Sequence, residues 1–493
     1  MLPSSDTVSR LLSEKCYGVI PFYEEILADM ISPLVILRKI KNSSSHCFLL
    51  ESAEDAGRWG RYSFLGYDPV MELTCMEKRA VLTKGRERTE YFTEHPEDKI
   101  REILAQYRSP KIAGLPTLTG GFVGFFAYDY IRYSEPRLKL DGRDTAEFKD
   151  IDLMFFDKII AFDHARHTIT LIYNQMITPG QEAEALCADA GQKLQEMKQI
   201  LREPAGRVPE GRLTSEIKPL FQKERYCSMV ERAKQYIHEG DIFQVVLSNR
   251  LEAGFQGSLF NAYRILRQSN PSPYMFYFSS TEIEVAGASP ETLVKLEDGK
   301  LHTFPLAGTR PRGKDSEEDA YLERELLEDE KELSEHNMLV DLGRNDLGKI
   351  SKFGSVAVEK YMKVEKFSHV MHIGSAVRSE ISPEKDALDA VAAVLPAGTL
   401  SGAPKIRACE IIQELEQNRR GIYGGAIGYL DLTGNMDTCI AIRIAYKRKD
   451  RVYIRSGAGI VADSVPEKEY QECMNKARAV CSALRAGEEV ESL

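Results

Sequence analysis

Two pairs of glutamates, each spaced three residues apart, give the first chemical signal. Glu332 and Glu335 stand in KELSEHNMLVDLGRNDLG, and Glu469 and Glu472 in PEKEYQECMNKARAVCSAL, with Lys476 four residues further on. At helical spacing each pair shares a face. Met338, Leu339, Val340 and Leu342 follow the first pair; the second borders an apolar stripe of Tyr470, Cys473, Ala477, Val480, Cys481 and Leu484. Paired carboxylates at a core edge are costly unless something neutralises them. Four oxygen ligands from two helices suit Mg²⁺ bridging to an anionic substrate. Two solvated helix faces are the alternative reading.

A second candidate fails on its chemistry. In FPLAGTRPRGKD (residues 304–315), Gly308, Gly313 and Lys314 fit the first seven positions of the phosphate loop G-x-x-x-x-G-K-[ST]. Asp315 then stands where a Ser or Thr should hold magnesium. Pro311 removes one of the backbone N–H groups that such a loop presents to phosphate. The residues that follow, DSEEDAYLERELLEDEKELSEH, would repel a nucleotide. The segment reads as a Gly/Pro turn with a basic rim.

The 493-residue chain is long enough for two or three average domains or one large one, and 43% of it is hydrophobic. A net charge of −10 argues against non-specific nucleic-acid binding, which needs cations along the phosphates. No apolar run approaches the 18 or so residues of a membrane span, and the N-terminal residues lack a signal-peptide pattern. Nine Cys without a C-x-x-C pair read as reduced thiols, hence a cytoplasmic protein. LREPAGRVPEGRLTSEIKPLF (residues 201–221) breaks the periodicity and reads as a connection between a region 1–200 and a region 222–493. Before it, CFLLES, MELTCM, GGFVGFFAYD, KIIAFD and TITLIYN read as strands, and a charged helix is predicted over 182–202. After it come a helix at ERYCSMVERAKQYIHEGD and the strands IFQVVLSNRL, YMFYFSS and IEVAGA. VEKYMKVEKFSHVMHIGSAV follows, then GGAIGYLDL and TCIAIRIAY as two hairpin arms, then RVYIRSGAGIV. A last helix opens at Pro466, a favoured first-turn residue. Consecutive hairpins with helices packed outside predict an α+β protein with antiparallel sheet.

The ordered segments FQVVLSNR, GASPETL, PLAGTRPRG, EHNMLVDLGRNDLG, VMHIGSAV, PAGTLSGAPK, IYGGAIGYL, AIRIAY and SGAGIVADSVPEKEYQEC make the chain resemble the chorismate-utilising enzymes, nearest their anthranilate-forming branch. The resemblance implies two packed antiparallel β-sheets with helices on the outside, and conversion of chorismate and ammonia to anthranilate and pyruvate, the first step of tryptophan biosynthesis. It implies that Glu335 and Glu472 are direct Mg²⁺ ligands, with Glu332 and Glu469 completing the shell. Lys476 and the backbone at Gly457, Ala458 and Gly459 would hold the ring carboxylate. Tyr423 and Arg443 would take the enolpyruvyl carboxylate, Arg by its bidentate fork. Glu291 would protonate the departing C4 hydroxyl, and His372 would assist on the enolpyruvyl side; by itself, a lone His in an apolar strand reads as structural. Thr309 and Thr399 would contact substrate. Relatives that make aminodeoxychorismate carry a nucleophilic Lys where Ala307 stands, and water-adding relatives carry a Lys base where Gln244 stands. Both positions favour ammonia as the nucleophile.

None of the nine Cys contexts offers the Gly-flanked turn of a glutamine-hydrolysing nucleophile, so a separate glutamine amidotransferase subunit is the expected partner. In the family, LLES (residues 49–52), RYSFLG (61–66) and NPSPYMF (270–276) form a pocket for tryptophan as feedback inhibitor. Glu51 and Ser52 would bind its polar end, and Pro273, Tyr274 and Met275 would shape the ring site. The alternatives are an aminodeoxychorismate or isochorismate synthase, and a non-catalytic tryptophan sensor.

Overall fold

A computed structural model describes residues 1–53, 60–140, 142–143, 146–366 and 370–490. Two large sheets form its centre, and every pairing between their strands is antiparallel. The first runs Val19–Leu27, Thr168–Met176, Lys158–Asp163, Tyr62–Tyr67, Cys47–Glu51, Tyr274–Ser279, Ile283–Ser289, Ile444–Arg448, Arg451–Ile460, Gln244–Gln256. The second runs Leu306–Pro311, Val370–Glu380, Lys300–Thr303, Thr292–Glu297, Met436–Ile440, Ala426–Asp431, Gly121–Phe126, Ile151–Phe156, Met71–Met76, Arg79–Lys84, Glu87–Phe92. Each sheet takes strands from both sides of the 201–221 connection.

Strand periodicity explains why the sheets stack. Successive side chains of a strand point to opposite faces. In Cys47–Glu51, Phe48 faces the second sheet while Cys47 and Leu49 face the helices; in Tyr274–Ser279, Phe276 and Phe278 face inward and Met275 and Tyr277 outward. The layer between the sheets is aromatic: Phe125, Phe156, Phe276, Phe278, Tyr429 and Tyr446 are all buried there. The helices Ser5–Glu14, Pro33–Ser43, Ala183–Arg202 and Phe260–Ser269 cover the outer face of the first sheet, and Pro96–Gln106 and Ala387–Val394 cover that of the second. The α+β architecture expected from the sequence is the one observed.

One reading needs correction. TCIAIRIAY is not one hairpin arm: Met436–Ile440 belongs to the second sheet and Ile444–Arg448 to the first, so residues 441–443 cross between layers. The acidic stretch that follows residues 304–315 forms two helices, Ser316–Glu328 and Glu330–Gly348, separated at Asp329. The segment VEKYMKVEKFSHVMHIGSAV falls on two strands, Ala357–Lys366 and Val370–Glu380, with residues 367–369 outside the described residues. The helices at Lys223–His238 and Pro466–Ala486 stand where their patterns placed them.

The candidate phosphate loop is occupied by its own chain. Residues 306–311 form a strand, and Asp315 caps the following helix, accepting from the N–H groups of Glu317 (3.0 Å) and Glu318 (2.9 Å). The Gly313 N–H goes to Asp319 (2.7 Å) and the Lys314 N–H to Glu318 (2.7 Å). The N–H groups a phosphate would need already donate to carboxylates.

Candidate active site

Both sheets and two helices open onto one cleft of about 580 Å³. The chain reaches it at its irregular points. Asp329 separates the two acidic helices and accepts from the N–H groups of Lys331 (3.1 Å) and Glu332 (3.2 Å), an N-cap that starts the helix bearing Glu332 and Glu335. Arg310 holds that Asp in turn (2.9 Å). Glu469, Glu472 and Lys476 come from the Pro466–Ala486 helix. Glu291 stands at the corner between Ile283–Ser289 and Thr292–Glu297. Arg443 sits on the crossover between the sheets, with φ of +53°, an uncommon conformation for a side chain with a Cβ. Thr399 lies on the 3₁₀ turn Gly398–Leu400, and Thr309 on the strand Leu306–Pro311. Apart from Asp329 and Arg310, which stand behind it, these residues line the cleft, together with Gln244, Tyr423, Gly457 and Gly459.

Two residues expected at the site stand one step behind the wall. Ala458 is fully buried, its side chain turned away from the face that Gly457 and Gly459 present. His372 contacts Gly308 O (2.8 Å) and Thr309 Oγ1 (3.1 Å) through Nδ1. Burial lowers its pKa, the Gly308 carbonyl opposes that, and Arg443 adds to it, so the ring is neutral near pH 7. The glycines are there for closeness: a Cβ on Gly457 would lie 3.0 Å from the Tyr423 hydroxyl, and one on Gly459 would lie 2.6 Å from the Gln244 amide nitrogen. Ala307 is buried and carries no reactive group.

The electrostatics divide the cleft into an acidic end and a cationic end. At the acidic end, burial raises the pKa of Glu335, the Glu332 and Glu472 charges raise it further, and Lys331 and Lys476 oppose them. Glu469 is likewise raised, by burial first and Glu472 in addition. Lys476 pairs with Glu472 at 2.7 Å. Carboxylates that disfavour one another's charge, in a cleft with water access, match in type and number the donors a hard divalent cation takes. As they stand, no three His, Cys, Asp or Glu side chains among the described residues are gathered closely enough to grip a metal ion.

At the other end, the Arg443 guanidinium makes no hydrogen bond or ion pair among the described residues, and burial lowers its pKa against the nearby Glu291. A buried cation without a partner is an anion receptor. Glu291 itself is pushed up to about 7; burial is the cause, with the Thr399 hydroxyl (3.3 Å), Arg443 and Lys476 opposing it. A carboxyl at that value can donate a proton near neutral pH. Beneath the cleft, Arg420 pairs with Glu416 (2.5 Å) and donates to Leu400 O (2.6 Å) and Val246 O (2.7 Å), tying together two wall residues from different elements.

Sequence reasoning missed two wall cations. Lys331 directly precedes Glu332, so the helix that carries the glutamates delivers it too. Arg455 lies two residues before Gly457 on one strand, hence on the same face; period-two counting from the glycine would have found it. Its Nε is buried without a hydrogen-bond partner among the described residues.

The residues expected for an inhibitor gather at a different place. Glu51 and Met275 are direct partners on adjacent strands. Glu51 accepts from Tyr263 Oη (2.7 Å), Arg267 Nε (2.7 Å) and Ser63 Oγ (3.4 Å). Ser52 directly follows one strand, and Pro273 precedes Tyr274 on the other.

The sequence profile described as chorismate binding enzyme matches residues 45–482. The chain belongs to the chorismate-binding enzymes. Among curated relatives, it is 42% identical over 496 residues to "Anthranilate synthase component 1" of Acetivibrio thermocellus, covering 99% of each chain. It is 43% identical over 485 residues to the protein of the same name from Aquifex aeolicus, covering 97% of each. The crystal structure of anthranilate synthase component I from Streptococcus pneumoniae superposes with a TM-score of 0.75 at 38% identity, over 93% of this chain and 99% of that one. A menaquinone-specific isochorismate synthase from Escherichia coli shares the fold, with a TM-score of 0.69 at 21% identity over 98% and 100% of the two chains.

Proposed function

We propose that this chain is the aminase subunit of an anthranilate synthase, converting chorismate and ammonia to anthranilate, pyruvate and water. The observation that carries the reading is one cleft with carboxylates at one end, an Arg without a hydrogen bond or ion pair among the described residues at the other, and a protonatable Glu beside that Arg. Chorismate is a dianion with a carboxylate at each end, and this distribution of charge is its complement. Arg443 and the Tyr423 hydroxyl receive the enolpyruvyl carboxylate. Lys476 and the backbone of Gly457 and Gly459 receive the ring carboxylate.

Glu332, Glu335, Glu469 and Glu472 would hold Mg²⁺, which supplies positive charge to the ring carboxylate when bound. Glu291, protonated, gives its proton to the C4 hydroxyl, which leaves as water while ammonia bonds to C2. Loss of the C2 proton and of the enolpyruvyl group as pyruvate then restores the aromatic ring. Thr399 aims the Glu291 carboxyl; Thr309 and the neutral His372 lie on the enolpyruvyl side. Ala307 cannot attack the ring, and the Gln244 amide is a poor base toward water, so neither the aminodeoxychorismate nor the isochorismate outcome is favoured. None of the nine free cysteines lines the cleft, which supports an amidotransferase partner, anthranilate synthase component II, as the source of ammonia. The Glu51 cluster is assigned to tryptophan as feedback inhibitor. The deciding assay is fluorescence of anthranilate formed from chorismate, ammonium and Mg²⁺. Signal that disappears with a chelator and returns with Mg²⁺ supports the reading, and a hydroxylated product overturns it.

A further inference from the structure

Tyr274 was assigned above to the inhibitor's ring site, yet its hydroxyl points the other way. It donates to Asp437 Oδ1 (2.9 Å) and lies 2.9 Å from Thr292 Oγ1, whose proton it can accept. Thr292 and Asp437 belong to the second sheet, whereas Tyr274 belongs to the first. Thr292 directly follows Glu291. The main-chain ladder is weak there, because the register of Thr292–Glu297 against Met436–Ile440 shifts between Thr292 and Val294. The rest of the corner is held by Ile440 N–H to Glu291 O (3.0 Å), Ser289 Oγ to Ile440 O (2.7 Å), Glu291 N–H to Ser289 Oγ (3.3 Å) and Thr399 Oγ1 to the Glu291 carboxyl (3.3 Å). Ser289 is in turn the strand partner of Tyr274.

We infer that Tyr274 is a positioning residue for Glu291: the relay Thr292 Oγ–H to Tyr274 Oη–H to Asp437 pins the corner 289–292 across the seam between the sheets. The inference rests on the reading of Glu291 as the acid. Charged groups surround both ends of the relay. Glu291 faces Arg443 from the crossover and Lys476 from the last helix. Asp437 faces Lys295 and Glu297 from the neighbouring strand, and its carboxyl is raised to about 6 by burial. Tyr274 faces Asp437 and Cys439. Without the phenol hydroxyl, Thr292 loses its side-chain link to the first sheet. Glu291 can then swing toward the water of the cleft, where a carboxyl ionises more easily.

The test is the pH dependence of kcat/KM at constant free ammonia, measured on the full chain. Tyr274→Phe is expected to lower kcat about tenfold with KM for chorismate changed less than about twofold. It should also move the basic limb of the profile down by about one pH unit, a tenfold change in the acid's ionisation. Thr292→Val should reproduce the shift and Thr292→Ser should restore the wild-type limb, even if one variant is poorly folded. A loss of activity uniform across pH in both Tyr274→Phe and Thr292→Val overturns the inference, as does an unchanged profile. Glu291→Gln separates the two layers. If that variant keeps full activity, the acid assignment falls and the inference with it. If it is inactive while the Tyr274→Phe limb stays in place, the positioning role alone is wrong.

Discussion

In the proposed reaction Glu291 gives up a proton, so it must arrive carrying one. Its folded-state pKa of about 7 makes activity fall as pH rises through that value. The same shift has a stability sign. A carboxyl raised on folding contributes stability that is fully present below its unfolded pKa and is lost as pH rises through the folded one. Glu291→Gln should therefore lower kcat by about 100-fold or more while leaving the protein more stable than wild type at pH 8, by about 1–3 kcal/mol. Rate measurements paired with denaturant melts at pH 5 and pH 8 check both halves, and equal loss of rate and stability would contradict the assignment. Arg443→Lys keeps the charge but not the fork, and should raise KM for chorismate about tenfold.

At the scale of elements, the site is assembled from interruptions. Asp329 ends one helix and starts the next, setting the height at which Glu332 and Glu335 enter the cleft. Asp329→Ala should cost about 1 kcal/mol of stability and raise the Mg²⁺ concentration needed for half-maximal rate, since the first turn bearing the proposed ligands loses its cap. Titrations of rate against Mg²⁺ read this directly, and an unshifted midpoint would remove the cap from the account. These interruptions also mark where sequence reading stopped. The glutamate pairs, the Pro466 helix and the first-half strands were legible because each signal is periodic and local. The crossover at 441–443 was not, because TCIAIRIAY alternates as one strand would, and only the docking of two sheets decides that Arg443 turns between them. Arg455 carried a local signal, its place two residues before Gly457 on the same face of one strand, but only the folded cleft shows that this face is a wall of the site. That Thr399 meets Glu291 across 108 residues is a tertiary fact with no sequence signal.

For the whole molecule, the two proposed sites lie on different parts of one pair of sheets. The strand Tyr274–Ser279 has Glu51's strand on one side and the strand leading to Glu291 on the other. A ligand at the Glu51 edge can thus bias the packing on which the cleft depends. Ser52→Phe should keep ammonia-dependent activity and lose tryptophan sensitivity, measured as anthranilate formation against tryptophan concentration. Retained inhibition would move the effector elsewhere. The chain by itself should use ammonium and not glutamine; turnover of glutamine by the purified chain would contradict the need for a second subunit. No helix among the described residues is long and apolar enough to cross a membrane.

The central seam of the first sheet joins Cys47 to Ser279, 232 positions apart. On the ribosome, the early strands therefore emerge long before the neighbour that covers their open edge has been made. Bare edges and apolar faces of this kind invite association with other chains. Closure has to wait until translation is more than half complete, and pairing over such a span is slow. Nascent chains of this protein should thus depend on chaperones most between those two points of synthesis, and recover independence once the later strand is out.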